Sequence, residues 1–289
     1  MREVRALGFE TLEAFIAANL RHGACEALND AFEAGQVAGL PFEDELRLLW
    51  EMARELEAAR GRPATSATQL DYSFHVEQGR VRIVPRLRGS PLDKLVSELM
   101  ILVNRSWGEL LAERDVAAIY RVQSIGKVRF SVHPEGHEGL GVSAYAWMSS
   151  PLRRYVDLVN QWQLLAALSG ARAPFARNSD ALLAALRAFE VTHARYDEHQ
   201  RGMETYWSLR WILQEDRREL DAAVLRENLV RIDGLPLVLR VASLPDAAPG
   251  TRVRLAVGGV DLLERTLSVQ YRERLGSGAP PAEPAEATS

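Results

Sequence analysis

Apolar residues recur at helical spacing over residues 9–34, with a break at His22-Gly23 and a stop near Gly35. After Gly39-Leu40-Pro41 a second helix is predicted over 43–60. Glu43, Asp44 and Glu45 fill its first turn, where carboxylates meet the positive end of the helix dipole. Leu46, Leu49, Trp50, Ala53 and Leu56 form its apolar stripe. Residues 70–76 and 80–84 then alternate apolar and polar around Glu77-Gln78-Gly79, the pattern of a hairpin. Helical spacing returns from Pro91 to Glu113 on Leu92, Leu95, Leu99 and Leu102. Residues 120–147 carry Gly, Pro and His and read as an irregular connector. Ser149-Ser150-Pro151 opens a helix to about Leu168, because a hydroxyl cap followed by Pro at the first helical position is a start signal. Two further helices fit 179–193 and 195–220. From Val224 to Leu275 short β-branched strands are punctuated by Asp233-Gly234, Pro249-Gly250 and Gly258-Gly259, which predicts a small five-stranded barrel. The Pro/Ala/Glu/Ser tail of residues 276–289 has too little to bury and is expected to be disordered. The class expected is α+β, largely helical, with a short β-hairpin and a terminal barrel.

Composition narrows the setting more than the fold. The chain has 289 residues, 47% apolar and 26% charged, which fits a soluble globular protein of one large or two modest domains. Thirty-five Lys+Arg face 39 Asp+Glu, so any polyanion contact must be a local basic surface and not an overall charge. Cys25 is alone, which excludes a disulfide framework or a thiolate metal cluster. The start lacks the apolar core of a signal peptide, and no run reaches the roughly 18 apolar residues of a membrane span. A cytoplasmic protein without membrane contact is expected.

The chemistry concentrates between His137 and Asn160. Within it, Tyr145-Ala146-Trp147-Met148-Ser149-Ser150-Pro151-Leu152-Arg153-Arg154-Tyr155-Val156-Asp157 reads as a helix start with two arginines in the first turn. Cations there oppose the dipole, so they make sense if an anion bridges them, with free N–H groups and guanidinium forks converging on a phosphate. Asp157 lies four residues after Arg153 and three after Arg154 and can orient one of them. An ordinary surface Arg pair beside a carboxylate is the alternative. Trp147, Trp162, Trp207 and Trp211 read as core packing, and His133 and His137 as a loop pair without a third metal ligand.

Ser150-Pro151-Leu152-Arg153-Arg154-Tyr155-Val156-Asp157-Leu158, preceded by Gly139-Leu140-Gly141, resembles the signature of the RNB catalytic domain of the ribonuclease II / ribonuclease R family. Asp71-Tyr72-Ser73-Phe74, Glu98-Leu99-Met100 with Asn104, and Tyr120-Arg121-Val122 resemble further family elements in the right order. The resemblance covers about Ala18 to Leu275 and implies 3′→5′ hydrolysis of single-stranded RNA to nucleoside 5′-monophosphates, with Mg2+ held by clustered aspartates. By motif position Arg153 is the catalytic contact to the scissile phosphate. Ser150, Arg154, Tyr155 and Tyr145 are implied as RNA or phosphate contacts, Glu98 as the acid of the 3′-terminal ribose, and Asp157 and Asn160 as supports of the motif.

Departures from the family pattern are equally informative. The family's aspartates end in an Asp-Asp pair, and this chain has no Asp-Asp anywhere, so no residue here is assigned as a metal ligand. The His-Arg that often follows the motif Asn is replaced by Gln161-Trp162. The organisation expected is a non-family segment 1–17, a partial RNB-like domain 18–221, an OB-like RNA-binding barrel 222–275 and the tail 276–289. In the barrel, Arg231, Arg240, Arg252, Arg254, Arg272 and Arg274 could track a phosphate backbone. Two readings follow. One is the C-terminal part of an exoribonuclease, inactive alone, either a truncated gene product or one served by a complementing N-terminal polypeptide. The other is a non-catalytic RNA-binding or scaffold protein of the same fold.

Overall fold

A computed structural model describes residues 43–61, 69–88, 90–124 and 127–277. The expected helix over 9–34, the segment 1–17 and residues 278–289 of the tail lie outside the described residues. The chain divides into two compact units, Met1–Ser66 with Gly89–Leu183 and Ala67–Arg88 with Ala184–Ser289.

In the first unit, α1 (Glu43–Ala59) starts on its three acids as predicted and ties to α2 (Pro91–Glu113) through Lys94 and Glu57 at 2.7 Å. α2 has the bounds its periodicity predicts. Ser90 Oγ accepts the Asp93 N–H at its start, with Pro91 beside it. At its end Asp115 takes a positive φ of 51°, and Val116 and Asp115 donate back to Leu111 and Ala112, a Schellman stop made without glycine. The irregular connector contains a two-stranded pair, β3 (Tyr120–Val122) with β4 (Arg129–Ser131).

Two helix predictions are corrected. The helix expected from Pro151 starts only at Tyr155, giving α3 (Tyr155–Ser169). The Ser-Pro signal is real but makes an isolated turn: Arg153 and Arg154 N–H both donate to the Ser150 carbonyl. Arg154 is then extended at φ −129°, ψ 116°, which ends the turn before the helix begins. The helices expected over 179–193 and 195–220 are one 35-residue helix, α4 (Asp180–Gln214). No Gly or Pro stands between 180 and 201, and Ala194, where the break was placed, is a strong helix former. α4 stops at a second Schellman turn on Asp216 (φ 44°), where Arg217 and Asp216 donate to Ile212 and Leu213. Again the αL position is an Asp, so no Gly announced it.

In the second unit the hairpin forms as β1 (Gln69–Glu77) and β2 (Arg80–Arg88) around Gln78 and Gly79, both at positive φ as a two-residue turn requires. The outer edge of β2 is closed by side-chain chemistry. Val81 N–H donates to Gln214 Oε1 at 2.8 Å and Gln214 Nε2 donates to the Val81 carbonyl at 3.0 Å. Pro85, further along, offers no N–H to a new strand.

The remaining strands are β5 (Glu219–Arg226), β6 (Leu229–Ile232), β7 (Val238–Arg240), β8 (Thr251–Asp261) and β9 (Thr266–Ser277). They form one antiparallel sheet in the order β7-β6-β5-β8-β9, curled but not closed between β7 and β9. Five strands and an α+β fold stand as predicted. The sheet starts at Glu219, before the predicted 222, because Leu220, Ala222 and Val224 already alternate inward there. These residues, with Ile232, Leu235 and Leu255, centre its core. Among the described residues no helix is long and apolar enough to cross a membrane.

Candidate nucleic-acid interface

The segment Ala144–Ser149 is held from two sides by asparagines with no solvent exposure. Gly108 on α2 leaves room for it, since a side-chain carbon there would stand 3.1 Å from the Ala146 nitrogen. One helical turn away, Asn104 Oδ1 accepts the Met148 N–H at 3.0 Å, and Asn104 Nδ2 donates to the Tyr145 hydroxyl at 3.3 Å and Ser149 Oγ at 3.5 Å. From α3, Asn160 Nδ2 donates to the Ile119 and Trp147 carbonyls at 2.8 and 3.0 Å, and Asn160 Oδ1 accepts the Ile119 N–H at 2.8 Å. Gln163, one turn further, holds the Ala117 carbonyl and both backbone groups of Phe175. Asn160 and Gln163, with Asp157, make a buried polar stripe on α3, and each is spent on a backbone partner. Nothing in the spacing alone announces Asn104 or Gln163 as clamps; buried amides read from sequence as ordinary polar residues.

Asp157, fully buried, fixes the arginine turn. Its Oδ1 accepts the Ser150 N–H at 2.8 Å, and its two oxygens accept from Arg154 Nη2 at 2.7 Å and Nε at 2.8 Å. The Arg154 guanidinium also lies over the Trp147 ring at 3.9 Å, while Arg121 stands 4.7 Å from that ring. Burial pulls the Arg121 pKa below its ordinary value; the Tyr145 phenol opposes this and Arg154 adds to it.

Arg153 differs from its neighbour. It is exposed, and its side chain makes no hydrogen bond or ion pair with the described residues. The two arginines are therefore not a pair waiting for one bridging anion: Arg154 is committed to Asp157, and Arg153 is left for solvent or a ligand. Tyr145 is buried beside Asn104, with its ring edge-on to His137 at 5.8 Å. His137 is itself buried, not solvated as a loop His would be, and its Nδ1 accepts the Leu140 N–H at 3.2 Å. Trp147 is core packing as expected, whereas Trp162 is 40% exposed and is not. α3 turns Asn160 and Gln163 inward, which carries Trp162 to the other side.

Glu98 sits apart from the arginine turn, buried on α2 and paired with Arg60, whose Nη1 donates to the Leu140 carbonyl at 2.6 Å. Glu98 Oε2 and Arg60 Nε have no partner among the described residues. Burial raises the Glu98 pKa, and Arg60 offsets this only in part. A carboxyl raised in the fold contributes stability that is full below its unfolded value and lost as pH rises through the folded one. The melting temperature of wild type relative to Glu98→Gln is therefore expected to fall as pH is raised from about 4 to 7; a difference constant with pH would contradict the assignment.

In the five-stranded sheet, the arginine track is partly spent. Arg252 pairs with Asp233, and Arg254 holds Asp221 at 2.9 Å and Glu273 at 3.3 Å. The Arg254 hydrogen bond keeps the Asp221 carboxyl below its ordinary range. Arg272 and Arg274 on β9 remain exposed.

The RNB domain family matches residues 1–129 and 123–170 of this chain. The chain belongs to the RNB-domain family. The match starts at residue 1, so residues 1–17 fall within it. Over 220 residues, 64% of this chain and 32% of the other, it is 26% identical to an uncharacterized ribonuclease of Synechocystis. Mycoplasma genitalium RNase R, solved in complex with ribose-methylated single-stranded RNA, superposes with a TM-score of 0.67 at 12% identity. That superposition covers 86% of this chain and 52% of RNase R. Yeast Ssd1, a pseudonuclease, superposes with a TM-score of 0.50 at 15% identity, covering 86% of this chain and 37% of Ssd1. The chain thus spans about a third to a half of the length of these relatives, and it has the fold of RNB exoribonucleases.

Proposed function

We propose that this RNB-domain chain binds single-stranded RNA and presents Arg153 to a backbone phosphate, as the RNA-handling part of a 3′→5′ exoribonuclease working in the cytoplasm. The observation that carries the reading is the division of labour between neighbours. Arg154 is tied to Asp157, and the turn it anchors holds Arg153 in solvent with its charge unspent. A guanidinium fixed at its base and free at its tip can meet a phosphate oxygen with two N–H donors. Ser150 begins the same bend, its carbonyl accepting the Arg153 and Arg154 N–H groups, and Tyr155 opens the helix beside it. Arg154 supports that contact through Asp157 and Trp147. Glu98 is assigned to the 3′-terminal ribose by its motif position; its unpartnered Oε2 can accept a hydrogen bond from a hydroxyl.

Magnesium, the metal the family implies, does not fit the described residues. Among the described residues no three His, Cys, Asp or Glu side chains come together in a group that could hold a metal. No step through magnesium is derived from this chain; because its sequence has no Asp-Asp pair, we assign the carboxylate ligands to a complementing N-terminal polypeptide. The similarity to the Ssd1 pseudonuclease supports a second reading, RNA binding without hydrolysis on the same fold.

Magnesium-dependent release of nucleotides from a 5′-labelled single-stranded RNA tests both. The purified chain is expected to bind the RNA in a salt-dependent manner and to release little by itself. Robust processive release by the chain alone would overturn the placement of the carboxylates elsewhere. Absence of RNA binding at low salt would overturn both readings.

A further inference from the structure

Tyr155 and Trp162 lie seven residues apart on one face of α3 and remain 45% and 40% exposed. Their ring centroids are 6.4 Å apart with the planes at 84°. An edge-to-face pair leaves one ring face open. Trp162 also stands at a position where the sequence departs from the family pattern, so the RNA reading above gives it no role.

Within residues 151–177 the exposed charges left unpaired are arginines. From residue 151 to residue 177 the charged side chains are Arg153, Arg154, Asp157, Arg172 and Arg177. Asp157 is buried under Arg154, and Arg177 pairs with Asp115 at 2.8 Å. What faces solvent is Arg153, two residues before Tyr155, and Arg172, just past the helix end, both exposed. Open aromatic faces flanked by unspent guanidinium groups are what single-stranded nucleic acid requires: bases stack on the rings and arginines meet the phosphates. Leu165 and Leu168, 62% and 58% exposed, extend the apolar surface and would equally suit a protein partner, but the unpaired Arg153 and Arg172 favour a polyanion.

We infer that Tyr155 and Trp162 form a stacking platform for the unpaired bases of a single strand, with Arg153 and Arg172 on its backbone. This rests on the RNA reading above and adds a base contact, of no sequence specificity, to the phosphate contact proposed there.

The test compares fluorescence anisotropy of two labelled 12-nucleotide single strands, one of adenines and one abasic, on wild type, Trp162→Ala, Trp162→Phe and Arg153→Ala. Circular dichroism melts confirm that each variant folds. Trp162→Ala is expected to weaken binding of the adenine strand roughly tenfold, and Trp162→Phe to restore most of it. Binding of the abasic strand should be the same in Trp162→Ala and wild type, because a sugar-phosphate chain has nothing to stack. Equal losses on both strands, or no loss on either, overturn the platform. So does a fall in sedimentation coefficient in Trp162→Ala with RNA binding unchanged, which would make the face a protein interface. If Arg153→Ala weakens both strands while Trp162→Ala weakens neither, the platform alone fails. If wild type binds neither strand, the RNA reading fails and the platform with it.

Discussion

Replacing Asp157 with alanine is expected to lower the unfolding free energy by about 3–5 kcal/mol, the usual cost of removing one partner from a buried ion pair. The carboxylate has no solvent exposure and satisfies three donors, the Ser150 N–H and two N–H groups of Arg154. Its loss leaves the Arg154 charge over Trp147 without a counter-ion and releases the turn that precedes α3. Asp157→Asn should cost less, because an amide oxygen still accepts the Ser150 N–H. Chemical denaturation with an unchanged m-value reads the difference directly. A cost under about 1 kcal/mol, the range of exposed pairs, would show that the pair is solvated and does not hold the turn.

The second large effect is expected at Asn160. Asn160→Leu keeps the branched shape but strands the Ile119 N–H, the Ile119 carbonyl and the Trp147 carbonyl in a site with no solvent exposure. Unsatisfied buried groups cost about 1–3 kcal/mol each, and partial relaxation brings the expected total to about 3 kcal/mol. Asn160→Asp should be no rescue. It keeps the bond from the Ile119 N–H but turns a carboxylate oxygen toward two carbonyls. If Asn160→Asp proved as stable as wild type at neutral pH, the donor role assigned to Nδ2 would be wrong.

These two sites show where sequence reasoning reached and where it stopped. The spacing between Arg154 and Asp157 was enough to foresee that one arginine would be oriented, yet not which one. The choice follows from the extended backbone at Arg154, which turns its side chain back over Trp147. Local signals worked where each was unambiguous: the Ser90-Pro91 start of α2, the Gln78-Gly79 turn and the five short strands after α4. They failed at α3, where Ser-Pro chemistry made a turn held by a tertiary partner, Asp157, instead of a helix start. They failed again at the end of α4, expected at 220 but reached at Gln214, because the Asp216 at its left-handed position leaves no glycine to read. The clamp by Asn104 was hidden for a different reason. It depends on a segment 40 and more residues away lying along α2, a contact that no local pattern encodes.

The charge picture changed as well. A near-neutral chain suggested that phosphate contact would rest on a few placed arginines, and the fold removes several from the count. Arg154, Arg252 and Arg254 are committed to carboxylates, whereas Arg153, Arg172, Arg272 and Arg274 are exposed. Which arginine carries a charge to the ligand is decided by pairing in the fold and not by composition.

The central claim is that adjacent arginines have separate duties, Arg153 on the RNA and Arg154 in the structure. The most direct measurement is single-stranded RNA affinity as a function of salt, taken beside thermal melting, for Arg153→Ala and Arg154→Ala. Arg153→Ala is predicted to weaken binding and to reduce the slope of log affinity against log salt by about 1, with the melting temperature unchanged. Arg154→Ala is predicted to lower the melting temperature markedly. The reverse pattern, with Arg153→Ala destabilising the fold and Arg154→Ala altering only the salt slope, would contradict the account.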